Sequence, residues 1–377
     1  MKKRLFTPGP ISVPEEVLLE MAKPIIHHRT PEFLKIAEET LKELKGFFQT
    51  ESDVFILASS GTGAMEAAVV NTLAPGDTAL VVSGGKFGER FTELCKVYGC
   101  TAVVHEPGWG NPADIGFIEK TLKENPGIKA VFATLVETST GTAYDIEAIG
   151  KIVSQLPGVL LIVDAISGLG AVPCHADAWG IDILVSGSQK ALSLPPGLAF
   201  LAASPKAWKR IEEIKTPRYY FDLRKYKKAI AKFDFPYTMA VSLVIGLRKS
   251  LELIKAEGGL EVLWEKHKKR AEAVRKAATA IGLKIFSKAP SDAVTAIVLP
   301  EGIDGEKFCS EMRKTFGMSV AGGQDALKGK VVRISHFGWQ DDFDTIAVLS
   351  ALEVMLGKFG HKVEPGTGVR EAMKILF

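Results

Sequence analysis

The chain has 377 residues, 46% of them hydrophobic and 24% charged, with a mean hydropathy of +0.14. Its 47 basic and 44 acidic side chains leave a net charge of only +3, which offers nucleic acid or an anionic membrane no electrostatic handle. No run reaches the roughly 18–20 apolar residues of a membrane span. The four cysteines, Cys95, Cys100, Cys174 and Cys309, have neither C-x-x-C pairing nor a metal-type spacing with histidine, so no disulfide scaffold and no metal site is expected.

In chain order, the Pro- and Gly-rich TPGPISVP excludes a regular helix or a central strand and reads as an extended arm. The opening MKKRLFTPGP has basic residues with no apolar stretch behind them, so no secretory signal is expected and the protein is placed in the cytoplasm. Glu15–Met21 and Glu32–Phe48 have helical periodicity, with the loop PIIHHRTPEF between them. From Val54 short apolar runs recur: VFILA, ALVVSG, TAVVHE, AVFATLVE, VLLIVDA, DILVSG and LAFLAA. Amphipathic stretches separate most of them, the pattern of an α/β fold with a mainly parallel seven-stranded sheet sandwiched by helices. The last two runs are joined by a segment too short for a helical crossover, which predicts an antiparallel pair. Ala240–Ala277 reads as helix. Beyond Gly282, KIFS, AVTAIVLP, a helix around Lys307–Phe316, VVRISHF and a helix over Phe343–Phe359 predict a smaller α+β unit. The expected division is an arm over 1–15, a large domain over 16–252 and a small domain over 253–377. The Lys-rich segments Arg224–Lys232 and Lys266–Arg270 read as exposed helix faces. Scarce Asn and Gln beside abundant Lys and Glu lean toward a thermophilic source.

Four segments carry chemistry. IDILVSGSQK places Lys190 where an apolar strand should finish, at the edge where open α/β sheets bind ligands and where a lysine amine can bond covalently to an aldehyde. VLLIVDA ends on Asp164, which is a helix cap, a metal ligand or the partner of a cationic ligand atom. The 26 positions between them fit one strand–helix–strand unit, so both emerge at the same sheet edge. An aspartate for a pyridinium nitrogen beside an aldehyde-binding lysine is the pattern of pyridoxal phosphate. Ser59, Ser60, Gly61, Thr62 and Gly63 lead straight into a helix; they form either a phosphate cradle or a plain helix cap. SGGKFGERF offers Phe87 for stacking on a flat heterocycle or for core packing. VETSTG offers the Thr138 hydroxyl at the same edge, and Gln189 is a candidate phosphate donor. Arg333, within VVRISHFG, is a carboxylate fork or a structural ion pair. His27, His28 and His336 have no metal spacing and receive no role.

Taken together, TPGPxxVP, SSGTGAMEA, VETSTG, LIVDAISGLG, SGSQKAL-PPG and VVRIxHFG stand in the order and spacing of the class V, fold type I aminotransferases. The chain resembles their alanine–glyoxylate / serine–pyruvate branch over nearly its whole length. The resemblance implies a homodimeric transaminase dependent on pyridoxal 5'-phosphate. It implies that Lys190 carries the covalent bond to the cofactor and that Asp164 holds the ring nitrogen. Phe87 would stack, a position often Trp or Tyr in relatives, and Thr138 would contact the ring oxygen. Ser60, Gly61, Thr62, Gly63 and Gln189 would gather the phosphate. Arg333 and Gly9 would meet the substrate. Tyr237 and Thr238 of FPYTMA would reach the neighbouring subunit's phosphate; Met239 departs from the proline usual after that threonine.

The expected substrates are alanine or serine as donor and glyoxylate or pyruvate as acceptor, because the motifs mark no second arginine for a distal carboxylate. Arg29 and Arg218 leave aspartate or phosphoserine open. A desulfurase-type lyase would require Cys309 as an exposed, mobile nucleophile. A dehydrogenase would require a glycine fingerprint that is missing, and a non-catalytic scaffold would be expected to lack Lys190 or Asp164, both of which are present.

Overall fold

The computed structural model describes residues 2–377. Its centre is a seven-stranded sheet made of β1 (Asp53–Leu57), β2 (Thr78–Val82), β3 (Thr101–His105), β4 (Ile128–Thr134), β5 (Leu160–Asp164), β6 (Ile183–Gly187) and β7 (Ala199–Ala203). Their spatial order is β1-β7-β6-β5-β4-β2-β3. Neighbours from β6 through β3 pair parallel, and β7 pairs antiparallel with both β6 and β1. The short apolar runs and the close β6–β7 spacing therefore become the strands read from the sequence.

Because side chains alternate across a strand, each run feeds two apolar layers. Leu80, Val131, Leu161 and Val163 pack toward the helices Pro31–Phe48 and Val241–Ala256, against Phe33, Leu44, Phe48, Val244 and Leu247. Phe55, Leu57, Phe132, Ile162 and Val185 pack toward the helices Gly61–Thr72 and Lys86–Val97, against Met65, Val69 and Phe91. Asp164 continues the row of Leu160 and Ile162, so alternation sends its carboxylate toward the Gly61–Thr72 side.

A second, smaller core lies around an antiparallel sheet of β8 (Lys284–Ile285), β9 (Val294–Val298), β10 (Ala321–Gly322) and β11 (Val331–Ser335), in the order β8-β9-β11-β10. The helices Gly259–Ala280, Gly305–Phe316, Asp342–Lys358 and Thr367–Leu376 supply Val274, Phe308, Leu352 and Leu376 to it. The N-terminal arm joins this body. Arg4–Leu5 pairs parallel with Met318–Ser319, and Phe6, 1% exposed, is buried in the smaller core.

Three details differ from the sequence reading. Ala240–Ala277 is two helices, Val241–Ala256 and Gly259–Ala280, broken at Gly258, whose φ of +111° belongs to the left-handed side that glycine tolerates. The connection from β5 to β6 contains turns in place of a helix, yet the two strands still pair parallel, so their carboxyl ends share one edge. The final helix Thr367–Leu376 lies beyond the last element expected.

The opposite edge is tied by Asp182, 4% exposed, which accepts from the Leu161 amide (2.9 Å), the Ser204 hydroxyl (2.8 Å) and Lys206 Nζ (3.1 Å). It thereby links β5, the start of β6 and the end of β7. Asp182→Ala is expected to destabilise the fold by about 2–4 kcal/mol in chemical denaturation, because it strands buried donors. The visible spectrum of any chromophore bound at the far edge should not change. Wild-type stability would show that these bonds contribute nothing.

Candidate active site

At the carboxyl edge of the sheet lies a cavity of about 260 Å³. Asp164, the last residue of β5, forms one wall, and Lys190, three residues beyond β6, forms another. Ser60, Gly61 and Thr62 open the helix Gly61–Thr72 on a third side, where Ser60 makes no side-chain cap. Phe87, Thr138, Gln189 and Gly9, also expected from the sequence, line it as well, whereas Arg333 is not among the lining residues. Gly63 is not among them: its amide is bonded to the Ser60 carbonyl (2.8 Å), and it packs on Ser59 and Phe221.

Lys190 and Asp164 are 8% and 2% exposed. Burial drives the Lys190 amine down to about 8; the Asp164 charge opposes this and the Arg333 charge reinforces it. Burial drives the Asp164 carboxyl up to about 7, aided by the Glu137 charge and opposed by the Ile166 amide, Lys190 and Arg90. The Ile166 N–H donates to Asp164 Oδ1 at 2.8 Å. Among the described residues no cation forms an ion pair with this carboxylate, so its second oxygen is available to a ligand. The Lys190 amine donates to the Pro8 carbonyl, and its chain runs beside Gly9. A Cβ on Gly9 would sit 2.8 Å from Lys190 Cε, and φ there is +119°, so the position is reserved for glycine.

The flanking residues are held from outside the cavity. Phe87 lies in the first turn of the helix Lys86–Val97. The buried Glu137 carboxylate caps that turn, accepting from the Phe87 and Gly88 amides at 3.0 Å each and from the Ser139 amide and hydroxyl. Thr138 Oγ1 donates to Ser167 Oγ at 2.6 Å. Arg333 reaches from β11 across to the large sheet: Nε donates to the Gly322 carbonyl and Nη1 to the Thr138 carbonyl, both at 2.9 Å. Burial lowers its guanidinium to about 10. Nη2 has no partner among the described residues.

Arg29 and Arg218 are occupied elsewhere. Arg29 pairs with Asp234 (2.5 Å) on the surface, and Arg218 donates to the carbonyls of Ile211, Ile214 and Thr216. Tyr237 and Thr238 do not line this cavity. The Tyr237 ring stacks on Tyr220 at 4.8 Å, and its hydroxyl donates to the Tyr219 carbonyl. Met239, 7% exposed, fills the large core. Cys309 sits in the helix Gly305–Phe316 with its thiol pushed up to about 11 by burial, which is poor placement for a nucleophile. Sequence reasoning missed Arg90, Ile166 and Ser167, which also line the cavity.

The site thus pairs an amine that is neutral in mildly alkaline solution with a buried acid, beside unpaired helix amides. A lysine titrating near 8 is protonated below that pH and reactive above it. In protein free of cofactor, the acylation rate of Lys190 followed by peptide mass analysis should rise with a midpoint near pH 8. Asp164→Asn should move that midpoint down, since the carboxylate favours the charged amine, and Arg333→Gln should move it up. A midpoint near that of surface lysines, unmoved by either change, would contradict this electrostatic picture.

The sequence profile of the class-V aminotransferases matches residues 13–349. The chain is 42% identical over its full length to a protein named soluble hydrogenase, small subunit, from Synechococcus, covering 98% of it. It is 37% identical to L-aspartate–glyoxylate aminotransferase of Paracoccus denitrificans, over 98% of this chain and 95% of that one. It is 36% identical to serine–glyoxylate aminotransferase of Methylorubrum extorquens, over 100% and 96%. Among solved structures, ureidoglycine–glyoxylate aminotransferase of Bacillus subtilis superposes with a TM-score of 0.94 at 28% identity, covering 100% of this chain and 98% of that one. Alanine–glyoxylate aminotransferase of Nostoc superposes with 0.90 at 29% identity, over 94% and 96%. The chain belongs to the class-V aminotransferases, a pyridoxal-phosphate-dependent family with the fold type I architecture.

Proposed function

We propose that this protein transfers the amino group of a small amino acid, alanine or serine, to glyoxylate or pyruvate. The observation that carries the reading is the buried Asp164–Lys190 pair with one carboxylate oxygen uncommitted. That oxygen fits a protonated ring nitrogen. The open amides at Gly61 and Thr62 mark an anion-accepting wall, beside which the Gln189 side-chain amide lines the cavity. Bound pyridoxal phosphate supplies an aldehyde for amine exchange and a cationic ring that accepts electrons released at the substrate Cα.

The protein's own groups do the rest. Asp164 keeps the ring nitrogen protonated, in surroundings where an ion pair is far stronger than at a surface. Lys190, as a neutral amine, takes the proton from the substrate Cα. Phe87 offers its face to the ring, and the Thr138 hydroxyl, which donates to Ser167 in the free site, would turn to the ring oxygen. Arg333, pinned at Nε and Nη1, presents Nη2 to the substrate carboxylate and so aligns the Cα–H bond. Gly9 leaves room for the lysine to move.

With Arg29 and Arg218 spent on other partners, monocarboxylic substrates fit best. Aspartate is the second reading, since it is the donor named for the Paracoccus relative. The hydrogenase name describes the Synechococcus protein; for this chain the cavity chemistry favours transamination. We also propose a cytoplasmic homodimer. Its support is the cysteines, all four unpaired, and the exposed Tyr219 and Tyr220 beside the half-buried Tyr237, from where Tyr237 and Thr238 would approach the partner's phosphate.

The test adds each amino acid singly to the cofactor-loaded protein and follows the visible spectrum. Alanine and serine should convert it, glyoxylate or pyruvate should restore it, and aspartate should act weakly. Conversion by aspartate alone would favour the second reading, and conversion by none would end the proposal. Arg333→Ala should raise KM for every donor roughly 10–100-fold, the scale of a lost charge-assisted bond; an unchanged KM would remove Arg333 from the substrate site.

A further inference from the structure

Arg90 has no place in the reading above, yet it lines the cavity. It lies one helical turn after Phe87, so its side chain returns over the same face. Two contacts hold it. Nη1 donates to Thr62 Oγ1 at 3.1 Å, and the guanidinium carbon lies 5.1 Å from the centre of the Phe87 ring. Among the described residues no carboxylate comes within ion-pair distance of it. Its charge instead acts on Asp164, which it helps keep ionised.

A half-buried guanidinium without an acidic partner, facing a cavity, is unusual unless its charge serves what binds there. The contacts join two walls that come from different elements: Thr62 from the helix after β1, and Phe87 from the helix after β2. Glu137 fixes the backbone of Phe87 but leaves its ring free to rotate about the side-chain torsions. The Arg90 guanidinium is placed over that ring.

We propose that Arg90 is a positioning residue. It locks the stacking ring of Phe87 to the anion-binding turn at Thr62, so that the ring seat and the phosphate seat form one rigid unit. The inference rests on the pyridoxal phosphate reading of the cavity. A planar, delocalised cation is needed for the double role; an ammonium can reach Thr62 or lie over the ring, but does not offer the same fork and flat face together.

The test uses Arg90→Met, which keeps length and loses charge and donors, and Arg90→Lys. Each apoprotein is compared with wild type for melting temperature, for the dissociation constant of pyridoxal phosphate and for the visible circular dichroism per bound cofactor. Arg90→Met should melt close to wild type, bind the cofactor roughly tenfold or more weakly, and show a reduced dichroic band even when saturated. Arg90→Lys should recover part of the affinity and less of the band. In a Phe87→Leu background, Arg90→Met should change the band far less than in wild type, because the ring it aligns is gone.

Wild-type affinity and an undiminished band in Arg90→Met would overturn the proposal. So would a dichroic loss of equal size with and without the Phe87 ring. If the unaltered protein develops no visible band with pyridoxal phosphate, the cofactor reading itself fails, an outcome distinct from failure of the Arg90 role. Should Arg90→Met unfold, Thr62→Val severs the same bond from the other side. It should reduce the band, and an unchanged band there would contradict the proposal.

Discussion

Two opposite charges held out of water, Asp164 at the end of β5 and Lys190 just past β6, set the terms for the rest of the molecule. Burial penalises both, raising one and lowering the other until each titrates near neutrality. A site of this kind does not stabilise an empty protein; it is a preorganised arrangement whose electrostatic cost is offset when a cationic ring and an aldehyde arrive. The sheet makes it possible. Adjacent parallel strands end at one edge, and the two apolar layers exclude water up to the last residue of each strand.

Around this pair the chain invests in orientation more than in attraction. Glu137 spends a fully buried carboxylate on four donors to fix the turn that carries Phe87. Arg333 spends two donors on backbone carbonyls, one from each sheet region, and so couples the smaller body to the cavity wall. The N-terminal arm is clamped by pairing with Met318–Ser319, which delivers Pro8 and Gly9 to the lysine. Residues far apart in the chain thus converge because three separate elements end at the same rim.

The strands are legible because fully buried parallel strands are short, continuous apolar runs; Asp164 ends one of them and Lys190 follows three residues after another. The β6–β7 antiparallel pair followed from a connection too short to cross over. The break at Gly258 coincides with the Gly258-Gly259 pair, which the helical pattern on both sides masks. The helix Thr367–Leu376 follows the Pro365-Gly366 turn and is too short for its period to stand out. Arg90 was hidden for a different reason. An arginine in the second turn of an amphipathic helix reads as solvated surface, and only the fold shows Thr62 on the neighbouring helix within reach. Gly63, in the same motif, lies outside the cavity lining and packs on Ser59 and Phe221.

The central claim is chemical: one lysine amine, and not another, meets the cofactor. Borohydride reduction of the protein loaded with pyridoxal phosphate, followed by peptide mass mapping, tests it most directly. The account predicts a single reduced adduct on Lys190, absent from Lys190→Ala. An adduct on a surface lysine alone, or a wild-type yield of labelled cofactor in Lys190→Ala, would contradict it.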